Sequence, residues 1–370
     1  MKSHLPHLAV VFTASLVFTA GLQGQAPTAA TSDVSCYMQT TTPVSRDTTF
    51  GLPGTRAPAF IGSVSSRSGS VITVKGTPGW TTNQFVYVIG TQNDQFYVEV
   101  QSGVLEGQRF PVTANGANTL TVTGSITSLA ANDVLALIPH WTFASAFPNL
   151  TGILASTTAL PDTACSRILL PLRLDDAFSV TTYYYYGGAA SGGPGWRKVG
   201  TPETQIVSHD VIAPDLFTFV KRSSNTSTPN AASISAISMS RRHHQIGINN
   251  FYNNLEIDIP ASMTLTQSGL FESGAFKGTT DVTGAGGDVL YVYDGTNATR
   301  PPAYFNSDAT YFYYTGTANG GPGWRVYGGT ITTVVSNNIA FRPGSGMVIG
   351  LASLGGTARP AWKPLPPYLQ

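Results

Sequence analysis

Tyr183-Tyr184-Tyr185-Tyr186-Gly187-Gly188-Ala189-Ala190-Ser191-Gly192-Gly193-Pro194-Gly195-Trp196-Arg197 is the stretch whose reading decides the fold. It recurs as Tyr311-Phe312-Tyr313-Tyr314-Thr315-Gly316-Thr317-Ala318-Asn319-Gly320-Gly321-Pro322-Gly323-Trp324-Arg325, at a constant offset of 128 residues. An ungapped aromatic run, a glycine-rich loop and a Gly-Pro-Gly-Trp-Arg ending do not recur by chance, so the chain reads as internally duplicated. Each copy predicts a β-hairpin. Tyr and Phe suit a pleated surface, glycines permit positive φ in the loop, and proline fixes the chain where it re-enters the sheet. Consecutive side chains on a strand point to opposite faces. Tyr184 and Tyr186 therefore share one face, as do Phe312 and Tyr314 in the second copy. Two readings stay open for these rings. Either both faces are covered and the rings are core, or one face exposes Tyr184, Tyr186, Trp196, Phe312, Tyr314 and Trp324 as a ligand platform. Arg197 and Arg325 either cap the rings by stacking on them or contact the ligand.

Working outward, similar strand signals follow each copy: Asp210–Pro214 and Phe217–Val220 after the first, Asn338–Pro343 and Met347–Ile349 after the second. This predicts two related β-modules, at 167–265 and 270–358. Upstream, short runs such as Ile61–Val64, Val71–Val74, Phe85–Ile89, Phe96–Val100, Phe110–Val112, Thr119–Val122 and Val134–Ile138 are separated by Gly, Asn and Asp. That spacing predicts a small antiparallel barrel or sandwich over 57–140. A bridge, 141–166, carries one short helical turn that Pro148 breaks. Residues 25–56 read as a linker or extended lead-in, and 359–370 as a C-terminal tail. A third Pro-Gly-Trp, at Pro78–Trp80, lacks the tyrosines and arginine and reads as a turn. The expected fold class is all-β.

The first residues predict export. Leu8 to Leu22 contains no charge and is too short to span about 30 Å of hydrocarbon comfortably, which suits a signal peptide over 1–24. Cleavage falls after Gly24 or near Ala29–Ala30, and an uncleaved anchor helix is the alternative. No later segment reaches spanning length, so the mature chain is expected to have no transmembrane segment and to be secreted, periplasmic or held at the cell surface.

Charged residues make up 11% of the chain, against about 25% in an average domain, and the net charge is +1. That balance excludes an electrostatic nucleic-acid binder. Apolar residues at 42% support real cores and exclude a disordered chain. Cys36 and Cys165 either pair in an oxidising compartment or remain thiols. No zinc, phosphate-loop, metalloprotease or nucleophile-elbow motif occurs, and no cofactor is implied. His140, His209, His243 and His244 read as polar loop residues. Glu256 and Asp258 alternate with Leu255 and Ile257 and share a strand face. That pair suits a glycosidase, a Ca²⁺ ligand set, or simply the solvated face of a strand.

The runs PGWTTNQFVYVIG (Pro78–Gly90), FYVEVQSGVLEGQRFPVTANGANTLTV (Phe96–Val122) and DVLALIPHWT (Asp133–Thr142), with the two Tyr-rich strands ending in Gly-Trp-Arg, resemble a paralogous family. Its members are uncharacterised exported β-rich proteins of environmental Gram-negative bacteria. The resemblance implies export and a shared architecture. It carries no activity, cofactor or catalytic residue. Many members have a shorter hairpin, so the glycine-rich loop reads as local variation.

Three functions follow as expectations. The first is a non-enzymatic secreted or cell-surface protein acting by self-association or attachment. The second is a carbohydrate-binding module taking a surface polysaccharide on its Tyr and Trp rings. The third is a glycoside hydrolase using Glu256 and Asp258.

Overall fold

The computed structural model describes residues 35–41, 48–52, 54–147, 156–158, 165–173, 176–213, 218–221, 230–236, 241–248, 251–256, 259–294, 307–355 and 358–369. The expected signal peptide, at 1–24, lies outside them.

In chain order, β1 (Ser35–Thr41) and β2 (Thr48–Phe50) come first. Six strands follow: β3 (Phe60–Ser68), β4 (Val71–Val74), β5 (Phe96–Val100), β6 (Arg109–Asn115), β7 (Thr119–Val122) and β8 (Val134–Pro139). Next are β9 (Trp141–Thr142), the helical turn α1 (Phe143–Ala146), β10 (Arg167–Arg173), β11 (Asp176–Tyr186), β12 (Gly195–Lys198), β13 (Val211–Ile212), β14 (Thr218–Lys221) and β15 (Asn230–Ala236). The last group is β16 (Tyr252–Glu256), β17 (Met263–Thr264), β18 (Val289–Tyr293), β19 (Ala309–Tyr314), β20 (Gly323–Val326), β21 (Ile339–Phe341) and β22 (Gly346–Gly350). The protein is all-β, and among the described residues α1 and a short 3-10 turn at Pro367–Leu369 are the helical elements. None is long and apolar enough to cross a membrane.

Strands β3-β4-β7-β6-β5-β8 close into a six-stranded barrel with antiparallel neighbours throughout. Closure removes the free edges that an open sheet would leave unpaired. Val64, Ile72, Val98, Val100, Leu120, Leu135 and Leu137 fill the interior. The β3–β4 hairpin turns on Gly69 and Ser70, and Gly69 takes φ +57°, which a side chain resists. Along β8 the alternate residues Ala136 and Ile138 point outward, yet they are buried with Tyr97 because the rest of the chain lies against this wall.

Phe85–Ile89 is not the strand its composition suggests. Asn83 adopts φ +58°, Asn115 Oδ1 accepts the Phe85 amide, and the chain turns again between Val88 and Gln92. Phe85 enters the barrel core while Ile89 is 80% exposed. A buried side-chain amide has taken the place of a strand partner.

Two five-stranded antiparallel sheets complete the core. Their orders are β12-β11-β10-β14-β2 and β20-β19-β18-β22-β16. Position by position these are one arrangement, with the pair β9–β13 in the first answered by β17–β21 in the second. The module edges therefore differ from those read off the sequence. The fifth strand of the first sheet, β2, comes from the expected lead-in. The fifth strand of the second, β16, lies within the span that the sequence reading gives to the first module. Only six residues separate β16 from β17, whereas between β2 and β9 the chain makes the whole barrel.

Each sheet has the same local supports. Thr142 begins α1 with a capping box, its Oγ1 accepting the Ser145 amide while Ser145 Oγ accepts the Thr142 amide. Thr264 and Gln267 make the same reciprocal pair. The segment expected to be a C-terminal tail is instead part of the second core. Trp362 is fully buried against Phe341, exchanges backbone bonds with His244, and donates Nε1 to the Ser268 carbonyl.

Candidate functional site

The two hairpins agree bond for bond. Tyr184 pairs with Arg197 and Tyr185 with Trp196; Phe312 pairs with Arg325 and Tyr313 with Trp324. Trp196 packs against Phe143 at 4.8 Å and Tyr185 at 5.7 Å. Trp324 packs against Phe276 at 4.9 Å and Tyr313 at 5.5 Å. On the opposite face, Arg197 donates to the carbonyls of Glu203, Trp196, Ser191 and Gly193. Arg325 donates to those of Ile331, Trp324, Asn319 and Gly321. Their guanidinium carbons stand 5.5 and 5.6 Å from the centres of the Tyr186 and Tyr314 rings. Each arginine is thus the internal staple of its glycine-rich loop, satisfying carbonyls that the tight loop turns inward.

This corrects the ligand-binding expectation for the hairpins. Tyr184, Tyr186, Trp196, Arg197, Phe312, Tyr314, Trp324 and Arg325 are all buried, none above 4% exposure. Both faces of each hairpin are covered, by core on one side and by loop on the other.

Aromatic side chains that are exposed or half-buried lie elsewhere. On the second sheet, Tyr252, Tyr291 and Tyr327 share the outer face, opposite the core residues Leu255, Leu290 and Ile349. The Tyr327 amide bonds to Thr310, which pairs with Tyr291, so the three tyrosines cross the sheet from β16 to the end of β20. Four strand spacings make that row about 19 Å long. Tyr252 and Tyr291 have ring centres 6.2 Å apart, and Tyr327 rests on Phe312 at 6.2 Å. Gly350 lies between the first two; a Cβ there would come within 2.8 Å of the Tyr291 ring. Tyr327 is 50% exposed and neighbouring Phe251 52%. Partial burial raises the Tyr291 pKa, and the nearby phenols of Tyr252 and Tyr327 raise it further.

Among the described residues the first sheet has no matching tyrosines. At the positions equivalent to Tyr291, Tyr327 and Gly350 it carries Leu169, Val199 and Lys221.

A crevice of about 410 Å³ opens where the barrel meets the second sheet. The barrel contributes Gln108 and Arg109, and the other side contributes His243, His244, Gln245 and Asn254. The junction is pinned from below. Glu99, fully buried on the outer wall of β5, accepts Arg109 Nε at 2.9 Å and Arg242 Nη1 at 3.0 Å. Glu106 accepts the Arg241 amide. His140, where the chain leaves the barrel, lies 4.6 Å from the Tyr97 ring. Burial, and behind it the Arg109 charge, lowers its pKa to about 4.

Sequence reasoning named the histidines but not their meeting with Arg109, which is 134 residues from His243. It passed over Tyr252, Tyr291 and Tyr327 because they belong to three separate strands and form no local motif. His209 sits near Tyr87, at 6.2 Å, away from this crevice. Asp258 and the Glu256 side chain lie outside the described residues, as does the Cys36 side chain. Cys165 is buried with Tyr184 and Tyr186. Among the described residues no three His, Cys, Asp or Glu side chains converge as a metal site.

Compared with known protein families, curated proteins and solved structures, the chain matches none.

Proposed function

We propose that this is an exported, non-enzymatic interaction protein that attaches to a surface polysaccharide through the tyrosine row of its second sheet. The observation that carries the reading is the placement of Tyr252, Tyr291 and Tyr327 on one outer face of one sheet, with Gly350 opening the space between two rings. Phenol rings give an apolar surface for a sugar face and a hydroxyl for its rim, at little cost in side-chain entropy. The low charge of the chain suits a neutral or weakly charged matrix polymer. Export and the likeness to exported β-rich proteins belong to the same reading, as does descent of both sheets from one duplicated unit. The first sheet is then the scaffold copy and the second the binding copy.

Co-sedimentation of the mature protein with insoluble polysaccharides, followed by affinity electrophoresis in soluble ones, tests it. The variant carrying Tyr252→Ala, Tyr291→Ala and Tyr327→Ala is expected to lose at least about tenfold in affinity, roughly 1.4 kcal/mol, with its fold intact. Val199→Ala, at the equivalent place on the first sheet, is expected to bind as the parent does. Equal binding by the triple variant, or no binding by the parent to any polymer, ends the reading.

Self-association is a second reading, favoured by Ile89 at 80% and Val104 at 71% exposure on barrel loops. Light scattering over a concentration series decides it, since Ile89→Asp with Val104→Asp would then return the protein to monomer.

A further inference from the structure

Tyr252 and Tyr291 are seated together by one glycine. Tyr252 pairs with Gly350 across β16 and β22, and Gly350 pairs with Val289, two residues before Tyr291 on β18. Paired residues share a face, and so do residues two apart, so both rings turn toward the outer side of Gly350. A Cβ built on Gly350 would lie 2.8 Å from Cε2 of Tyr291, 3.5 Å from Cε1 of Tyr252 and 3.6 Å from the Tyr291 hydroxyl oxygen. Because glycine has no Cβ, the two rings meet over it, with centres 6.2 Å apart and planes at 57°.

The atoms brought together are the reactive ones. Cε1 and Cε2 are the carbons ortho to the phenol hydroxyl, where the unpaired electron of an oxidised tyrosine is concentrated. The Tyr252 phenol also helps to hold the Tyr291 pKa up, so the two hydroxyls lie within each other's field. Both rings are reached by solvent: Tyr252 is 37% exposed and Tyr291 is half-buried. Tyr327, the third member of the row, rests instead on a phenylalanine, Phe312. In the first sheet Leu169 and Lys221 occupy the places of Tyr291 and Gly350, so the pair is peculiar to the second sheet.

We propose that Tyr252 and Tyr291 are a cross-linking site, joined by oxidation into a dityrosine that staples β16 to β18 across β22. Each phenol gives up one electron and one proton and becomes a phenoxyl radical. The radicals couple between Cε1 of Tyr252 and Cε2 of Tyr291. The hydrogen on each of those carbons then leaves as a proton while each oxygen takes one back, which restores two aromatic phenols. The net loss is two electrons and two protons. A hydroperoxide reduced by a peroxidase accepts them, and hydrogen peroxide leaves as two waters. The bond closes the chain from Tyr252 to Tyr291 into a loop and so lowers the entropy of the unfolded state. In a chain with two cysteines it supplies the kind of covalent staple that disulfides give other exported proteins. The inference asks nothing of a polysaccharide and is tested without one.

The experiment treats the dilute mature protein with hydrogen peroxide and a haem peroxidase, follows the blue fluorescence of dityrosine, and maps tryptic peptides by mass. Cleavage at Lys277 puts the two tyrosines on separate peptides, so the bond appears as a linked species lighter than the pair by two hydrogens. That species is expected in the monomer fraction of the parent and of Tyr327→Phe. It is expected to be missing from Tyr252→Phe and from Tyr291→Phe, which keep the rings and with them the fold. Gly350→Ala, which crowds the Tyr291 ring inside contact distance, is expected to form it more slowly. After oxidation the urea midpoint of the parent is expected to rise, and that of Tyr291→Phe is not. A linked species that persists in either Phe variant, one found only between two chains, or none at all overturns the proposal. An unchanged midpoint in fully cross-linked parent overturns the staple.

Discussion

The two five-stranded sheets share what is hidden and differ in what is shown. Both keep the same strand order, the same threonine-capped turn, a tryptophan packed beneath the tyrosines, and an arginine that donates to three loop carbonyls and to that of the preceding tryptophan. On the outer face the likeness stops: Leu169, Val199 and Lys221 in one sheet stand where Tyr291, Tyr327 and Gly350 stand in the other. The first sheet also takes an entire barrel between β2 and β9, while the second bridges the same gap directly. A motif that is identical in both copies is therefore best explained by folding. The search for function belongs with the differences.

The largest test of that division is the arginine staple. Arg197→Met and Arg325→Met each remove the side-chain donor from three loop carbonyls around an apolar side chain, and each is expected to cost at least about 3 kcal/mol. Urea unfolding followed by tryptophan fluorescence measures both. If one costs less than about 1 kcal/mol while the other costs the full amount, the two hairpins are not equivalent and the comparison breaks. Next comes acid. His140 marks the junction that only the first sheet has, and its pKa in the folded protein is lowered to about 4. In the unfolded chain it takes up a proton near pH 6.5. The stability it contributes is thus complete above about pH 6.5 and is lost as the pH falls toward 4, by about 2–3 kcal/mol. His140→Phe is expected to remove that share of the acid loss. Melting curves from pH 7.5 to 4 that run parallel in parent and variant would refute the assignment.

The smallest effect sharpens the likeness. Tyr183 donates its hydroxyl to Asp210, and Tyr311 is hydrogen-bonded to Asn338 at the matching position. Burial, and after it the Asp210 carboxylate, raises the Tyr183 pKa. Asp210→Asn turns the first site into the second. It is expected to change stability by less than about 1 kcal/mol and to lower the Tyr183 pKa, which ultraviolet titration of the tyrosines reads directly. No downward movement would mean that the carboxylate does not act on that ring.

The legible parts of the fold were local. The Tyr-rich strands, the Gly-Pro-Gly-Trp-Arg return and the helical turn at Phe143 announce themselves within a dozen residues, because turn chemistry and strand propensity are short-range properties. The barrel was legible from the spacing of its strands. What stayed hidden is long-range. Nothing within Thr48–Phe50 says that it pairs with Thr218–Val220, nor within Tyr252–Glu256 that it pairs with β22 rather than with its neighbours upstream. Val86–Ile89 misled because its composition favours a strand, while the deciding partner, the Asn115 side chain, lies far along the chain. For the site, the tyrosine runs drew attention to rings that the fold buries. The outer-face ones, single residues on separate strands, became a row only through pairing.

The chain enters the barrel on β3 and leaves it on β8, and these two strands are direct neighbours. Phe60 pairs with Leu137, and the Ala59 amide bonds to the Leu137 carbonyl at 2.8 Å. The two junctions with the host sheet are therefore side by side. A cassette with closely spaced ends can be exchanged without restringing the scaffold around it. The loop between β2 and β9 is accordingly the natural grafting point of this protein. The short crossing between β16 and β17 marks how little chain the host needs when nothing is carried there.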